Sequence, residues 1–178
     1  GHQVVTQAKD YDQLTTETLN YYGCGIIEAY DHDWLAFPYK TGCQLYRREQ
    51  NEKQIRTLKG SKPGYSFFGT RNVTSDASAL FIAKSPREAM LLHQTFESGA
   101  DNIGLATGEQ GTLSSEQCQW LEQQVSQASY KKIILFLDCD TDEAYQTTRQ
   151  LANAIAEIST DQEISLINIH QVTEGEYK

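Results

Sequence analysis

The chain has 178 residues and a mass of 20.1 kDa, a length that suits one compact domain or a small subdomain joined to a standard one. Its 39% hydrophobic and 22% charged residues are ordinary for a globular protein, and no apolar run approaches the roughly 18 residues of a membrane helix, which argues against a membrane protein. The formal net charge of −9 argues against bulk nucleic-acid binding, and four widely spaced cysteines without a CxxC pair argue against a zinc ribbon and favour a cytoplasmic protein with free thiols.

The charge is unevenly distributed along the chain. Residues 36–72 carry eight basic residues against two acidic ones, whereas residues 1–35 and 73–178 are strongly acidic. A local basic strip can bind phosphates even in an acidic protein, because binding responds to the local field. The alternative interpretation is a solvated surface of mixed charge.

The first part of the chain has short, irregular patterns. Residues 15–22 predict a short helix, and residues 34–39 and 44–47 predict a hairpin whose first strand ends at Pro38. These elements are typical of a small basic α+β subdomain, which we expect to span residues 1–75.

The second part, residues 76–178, alternates between strands and helices. The pattern predicts strands at 79–83, 102–106, 133–137 and 164–169, and helices at 86–97, 114–126 and 142–158. This order predicts a parallel sheet with helices on both faces.

Three carboxylates follow the strand predicted at 133–137, namely Asp138, Asp140 and Asp142. In parallel sheets ligands bind at the carboxyl ends of the strands, and two carboxylates there could hold Mg²⁺, which prefers oxygen ligands. Alternatively, Asp140 or Asp142 caps the following helix. Capping does not explain all three, because crowded like charges repel one another unless a cation lies between them.

Lys84 brings a cation to the same predicted edge, directly after the strand at 79–83. Its neighbours Ser85, Pro86 and Glu88 form a capping box for the next helix, which accounts for them without any function. Lys84 is therefore the unusual residue.

Aromatic residues Tyr65, Phe67 and Phe68 lie beside the basic strip. They could stack on nucleic-acid bases or pack in the core.

These strand ends resemble the TOPRIM fold, the catalytic domain shared by bacterial-type primases, topoisomerases and some nucleases. Asp138-Cys139-Asp140 resembles its DxD metal motif, and Glu88-Ala89 stands at its Asp-Ala position. Four upstream segments are similar to the small basic subdomain that precedes TOPRIM in primases and phage primase-helicases: residues 18–25, 37–39, 57–60 and 68–69.

The resemblance implies an α/β fold, with a TOPRIM-like parallel sheet flanked by helices after a small basic α+β subdomain. It implies a fragment of a DNA primase-like protein, which makes RNA primers by Mg²⁺- or Mn²⁺-dependent nucleotidyl transfer. Its partners would be a single-stranded DNA template and nucleotides, and could include a replicative helicase. The metal site would be formed by Asp138, Asp140 and Asp142.

The same resemblance assigns the remaining site positions. Lys84 and Glu88 occupy catalytic-site positions, and the basic residues expected to contact nucleic acid are Arg47, Arg48, Lys53 and Lys59.

One departure from the family pattern leaves several functional interpretations open. Lys84 stands where the family has a Glu that acts as an acid/base or metal-associated group, and an ammonium cannot take that role. It could neutralise Asp138 and Asp140 and displace the metal, or contact a phosphate. The chain is then either a primase-type enzyme or a degenerate TOPRIM module that binds nucleic acid or a replication partner without catalysis. A metal-dependent nuclease is a third possibility, against which the primase-like first subdomain argues.

Overall fold

Two β-sheets, one antiparallel and one parallel, organise the computed structural model. The structure describes residues 5–6, 9–74, 76–96, 99–106, 112–159 and 161–169. None of the helices in these ranges is long and apolar enough to cross a bilayer. All four cysteines are free thiols, as predicted.

The antiparallel sheet is a meander formed by the first part of the chain. Its strands follow one another in the order Val5–Thr6 (β1), Gly25–Ala29 (β2), His32–Tyr39 (β3), Gly42–Glu49 (β4) and Glu52–Thr57 (β5). A short helix, Thr16–Tyr21 (α1), precedes β2, and the Thr15 side chain caps it by accepting the Thr18 N–H at 3.2 Å. The predicted α+β character of this part is therefore present.

The prediction that Pro38 ends its strand is wrong, because Pro38 lies inside β3 and pairs with Cys43 of β4. The Cys43 N–H bonds to the Ser61 hydroxyl at 2.9 Å rather than to Pro38. The proline nitrogen thus faces the β2 side, where the ladder has already ended at the Gly25–Ala36 pair. Proline is tolerated there because no strand partner needs its missing N–H.

The parallel sheet is formed by the second part of the chain. Its strands are Ala79–Ala83 (β6), Ala100–Gly104 (β7), Lys132–Leu137 (β8) and Glu163–Asn168 (β9), in the spatial order β7-β6-β8-β9. The helices that connect them are Pro86–Thr95 (α2), Ser115–Gln127 (α3) and Asp142–Ile158 (α4). The predicted parallel sheet flanked by helices is confirmed.

Alternating side chains on the strands bury both faces of this sheet. On β6, Phe81 belongs to the core cluster that contains α2, whereas Leu80 and Ile82 belong to the cluster that contains Leu121 of α3 and Leu151 of α4. Full burial of such a side chain contributes about 1.5–3 kcal/mol. The two-sided burial explains why β8 reads as a continuous apolar run.

A single core cluster joins the meander to the parallel sheet. It contains Phe37 of β3 together with Phe68 and Phe81, and the Phe37 and Phe68 ring centroids lie 5.9 Å apart. Phe68 also exchanges two backbone hydrogen bonds with Gly104 at the end of β7, at 2.9 and 3.0 Å. These contacts hold the meander against the carboxyl edge of the parallel sheet.

Candidate functional site

A polar cleft of about 450 Å³ lies between the meander and the carboxyl edge of the parallel sheet. Its lining consists of Ile169 and seven polar or charged residues: Asp12, Gln13, Arg48, Lys53, Lys84, Arg87 and Glu88. The carboxyl edge of a parallel sheet is the usual place for a ligand site, so this cleft is the candidate functional site.

Lys84, which lines the cleft, forms an ion pair with Asp138. Lys84 follows β6, and its backbone N–H donates to the Phe136 carbonyl of β8 at 3.0 Å, which brings its side chain beside the end of that strand. Its Nζ lies 3.2 Å from Asp138 Oδ1 and 3.4 Å from Oδ2, with side-chain exposures of 18% and 28%. The ammonium therefore neutralises the first carboxylate of the DxD motif.

The other two predicted metal ligands are more exposed. Asp140 Oδ1 accepts a hydrogen bond from Asn168 Nδ2 at the end of β9, at 2.6 Å. Asp142 is the first residue of α4, where a carboxylate stabilises the positive end of the helix dipole. The helix cap is Thr141, whose hydroxyl accepts the Ala144 N–H at 3.0 Å, so neither aspartate is the N-cap.

This arrangement fits a divalent ion poorly. In the part of the chain that the structure describes, no three His, Cys, Asp or Glu side chains are grouped to hold a metal. Both Asp138 oxygens are within 3.4 Å of the Lys84 ammonium, and a metal cation at that carboxylate would have to displace it. The metal site at Asp138, Asp140 and Asp142 stays a prediction.

Glu88 lines the cleft but is already engaged by its neighbours. Its side chain is 4% exposed, its Oε2 accepts the Ser85 hydroxyl, and its Oε1 lies 3.4 Å from Arg87 Nη1. The Ser85 hydroxyl also accepts the Glu88 N–H at 3.5 Å as the N-cap of α2. In this structure Glu88 serves as a counterion to a buried arginine.

Asp12 and Arg87 form a buried ion pair that sequence reasoning missed. Arg87 Nε lies 2.7 Å from Asp12 Oδ2, and Nη2 donates to the Asp12 carbonyl and to Gln13 Oε1 at 3.2 and 3.1 Å. Asp12 and Gln13 form a two-residue turn with φ angles of 47° and 71°, closed by two Tyr11–Leu14 backbone hydrogen bonds. No sequence signal connects the pair, because 75 residues separate its members.

Two further cations come from the β4–β5 hairpin. Arg48 and Lys53 are directly opposite each other across the strands, an arrangement of like charges that is unfavourable without an anion nearby. Arg48 Nη1 lies 3.4 Å from Asp12 Oδ2. Much of the Lys53 side chain is exposed, yet partial burial lowers the pKa of its ammonium, and the charges of Arg87, Lys84 and Arg48 lower it further against the opposing effect of Glu88.

The remaining predicted nucleic-acid contacts do not line the cleft. Arg47 Nη2 lies 2.6 Å from Glu49 Oε2, and its Nη1 donates to Gln54 Oε1 at 3.3 Å. Lys59 is exposed in the turn after β5. The structure thus brings together Arg48, Lys53, Lys84 and Glu88, and leaves Arg47 and Lys59 apart from them. All of these contacts to nucleic acid stay predictions.

Comparison with solved structures identifies the architecture. The DnaG catalytic core matches with a TM-score of 0.59 at 10% sequence identity, over 93% of this chain and 66% of that one. The primase fragment of the bacteriophage T7 primase-helicase protein matches with a TM-score of 0.58 at 10% identity, over 96% and 69%. The chain has the fold of a primase catalytic core.

A third match has the same fold in a larger assembly. It is the structure of T7 lagging-strand DNA polymerase interacting with primase domains of two gp4 subunits bound to an RNA/DNA hybrid and dTTP, with a TM-score of 0.58, 12% identity, and coverage of 98% and 87%. No family model and no curated protein sequence matches the chain. The predicted TOPRIM-like primase architecture is confirmed, and the chain spans about two thirds of the DnaG core and of the T7 fragment.

Proposed function

We propose that this primase-fold chain binds the phosphates of single-stranded nucleic acid in its cleft and does not carry out metal-dependent primer synthesis. The observation that supports this most directly is the ion pair between Lys84 and Asp138. Lys84 brings its ammonium to the carboxylate that a divalent ion would need.

The charges around the cleft favour an anionic ligand. Four cations line it, Arg48, Lys53, Lys84 and Arg87, against two carboxylates, Asp12 and Glu88. Among the described residues no carboxylate forms an ion pair with Lys53. Arg48 and Lys53 are like charges that face each other across the strands, and a bound phosphate would reduce their repulsion. It would also favour the charged form of the Lys53 ammonium.

Binding is the chemistry that these side chains can provide. An ammonium has three donors, so Lys84 can hold Asp138 and still donate to a phosphate oxygen. Lys53 and Arg48 approach from the opposite wall and would contact the same or the next phosphate. These side chains supply hydrogen-bond donors and positive charge, and the carboxylate of Glu88 is buried against Ser85 and Arg87.

Primer synthesis is the second candidate, because the neighbouring structures are primase catalytic cores. It would require Lys84 to leave Asp138, so that this carboxylate and the exposed Asp140 or Asp142 could accept Mg²⁺ or Mn²⁺. A role in DNA replication, a cytoplasmic location, nucleotides as ligands and a replicative helicase as partner belong to both candidates. Support for the helicase comes from the T7 neighbour, which is a fragment of a primase-helicase protein.

Two measurements test the proposal. The first is the affinity of a fluorescently labelled oligodeoxythymidine in EDTA at several salt concentrations, for the parent, Lys53→Gln and Lys84→Gln. Each substitution is expected to weaken binding and to lower the slope of log affinity against log salt by about 0.7. The control is Lys132→Gln, which removes an exposed lysine at the opposite end of β8.

The second measurement is Mn²⁺ binding by EPR. We expect no Mn²⁺ site at Asp138 in the parent, and a new site in Lys84→Gln that the further change Asp138→Asn removes. Parent protein that binds Mn²⁺ through Asp138 and makes primers on a template would refute the proposal in favour of primer synthesis. Oligonucleotide binding that resists both lysine substitutions would refute the cleft as the site.

A further inference from the structure

A second groove shares no lining residue with the cleft. It lies between the β3–β4 turn, residues 65–71 and one face of α3, and has a volume of about 540 Å³. The Gln117 side chain of α3 donates to the Ser66 carbonyl at 3.0 Å, and the Thr41 hydroxyl bonds to the Ser66 hydroxyl at 3.0 Å. These bonds tie the three walls together, so the groove is preformed.

Two aromatic side chains line this groove. Of the three aromatics beside the basic strip, Phe67 and Phe68 are buried, whereas Tyr65 is 46% exposed and has the Lys62 ammonium 5.3 Å from its ring centroid. Trp120 is partly exposed and packs against the tilted Phe67 ring, at a centroid distance of 5.4 Å. An exposed ring beside a cation is the arrangement on which nucleic-acid bases stack.

Cations without acidic partners surround these rings. Lys40 and Arg71 line the groove together with one carboxylate, Glu116, and Lys62 lies over Tyr65, so three cations stand against one acidic residue. Within the ranges that the structure describes, none of these three forms an ion pair with a carboxylate. In a chain of net charge −9, such a local excess of positive charge attracts phosphate.

The α3 wall adds groups that suit base edges. Gln119 and Gln123 are exposed one helical turn apart, on the same face as Trp120. Amide side chains both donate and accept hydrogen bonds, as the edges of bases do.

We propose that this groove is a second site for single-stranded nucleic acid, which stacks a base on Tyr65 and Trp120 and binds the flanking phosphates through Lys40, Lys62 and Arg71. It is separate from the cleft. A single nucleic-acid strand bound at both sites would contact the walls of the cleft and α3 at the same time.

The two tryptophans of the chain provide a local test with dodecathymidylate as the probe. Trp34 is 1% exposed and is shielded from a bound base, whereas Trp120 lines the groove. Addition of the oligonucleotide is expected to quench fluorescence in the parent but not in Trp120→Phe. Tyr65→Ala and Arg71→Gln are each expected to weaken the affinity measured by quenching about tenfold. The matched control is Tyr145→Ala, which removes a tyrosine on α4 that is 42% exposed.

The double variant Lys53→Gln/Lys84→Gln separates this proposal from the cleft. Quenching of Trp120 that persists in this variant supports the groove, whether or not the cleft binds nucleic acid. Quenching that disappears in this variant, or that Tyr65→Ala leaves unchanged, would overturn the groove proposal without affecting the cleft. Equal quenching by a polyglutamate peptide would likewise overturn it and assign the groove to acidic peptides.

Discussion

The carboxylate of Asp12 connects three side chains, and its neutralisation is expected to destabilise the fold. It lies 2.7 Å from Arg87 and 3.4 Å from Arg48, and it accepts the Tyr46 hydroxyl. The Asp12 and Arg87 side chains are only 9% and 8% exposed. In Asp12→Asn the amide keeps the shape of the carboxylate, while the change removes the charge and replaces one acceptor oxygen with an NH2 donor.

The size of the effect follows from the partners that Arg87 retains. Removing one partner of a buried ion pair destabilises a protein by about 3–5 kcal/mol. Arg87 keeps Glu88 at 3.4 Å and the Asp12 carbonyl at 3.2 Å, which places Asp12→Asn at the lower end, about 3 kcal/mol. Asn tolerates the left-handed φ of 47°, whereas Asp12→Ala adds about 1 kcal/mol of backbone strain.

Urea unfolding at 25 °C measures this loss. With a denaturant slope of about 2 kcal/mol/M, the midpoint of Asp12→Asn is expected to fall by about 1.5 M. Asp31→Asn is the matched control, since Asp31 is exposed and also left-handed, with a φ of 64°. Equal midpoints for Asp12→Asn and Asp31→Asn would refute the view that the buried charge stabilises this turn.

Two further predictions concern the stability of the fold. Gly69→Ala is expected to reduce the free energy of unfolding by about 2–4 kcal/mol, because φ is 88° and the new Cβ would lie 2.7 Å from the Asn102 carbonyl oxygen. The control is Gly60→Ala, where φ is 84° and the space around the new Cβ is open, so only backbone strain should lower the free energy of unfolding. Equal losses of stability for the two variants in urea unfolding would contradict the predicted clash at Gly69. Burial lowers the pKa of His93, and the charge of Glu17 opposes this effect. The unfolded chain therefore takes up a proton more readily than the folded one, and the free energy of unfolding should fall as the pH drops through about 6.5. His93→Gln should flatten this dependence between pH 7.5 and 5.5, and an unchanged slope would show that other groups cause it.

The elements of the parallel sheet could be predicted because local sequence determines them. The apolar run of β8 and the bounds of α4, Asp142–Ile158, follow from composition and helical periodicity alone. Strand β5, Glu52–Thr57, was missed because it is largely exposed and carries no apolar alternation. The strand forms because it pairs with β4, and the side chains of β5 alone give no indication of this pairing.

The site could be predicted only in part. Lys84 and Asp138 follow two strands that the fold class makes neighbours, so their approach could be anticipated. The contact of Asp12 with Arg87 depends on a turn with two left-handed residues, neither of which is glycine, and on the packing of two sheets. Neither the backbone conformation nor the packing can be deduced from residue spacing.

The shared core has a consequence for how a ligand enters the cleft. Phe37 from one sheet and Phe81 from the other lie in one apolar cluster with Phe68, so the walls of the cleft cannot rotate apart without exposing these rings to water. A hinge that closes over nucleic acid is therefore not available here. A nucleic-acid strand that binds there as proposed would have to enter an open channel, and adjustment to each phosphate would fall to the long side chains of Arg48 and Lys53, which can reorient while the backbone stays in place.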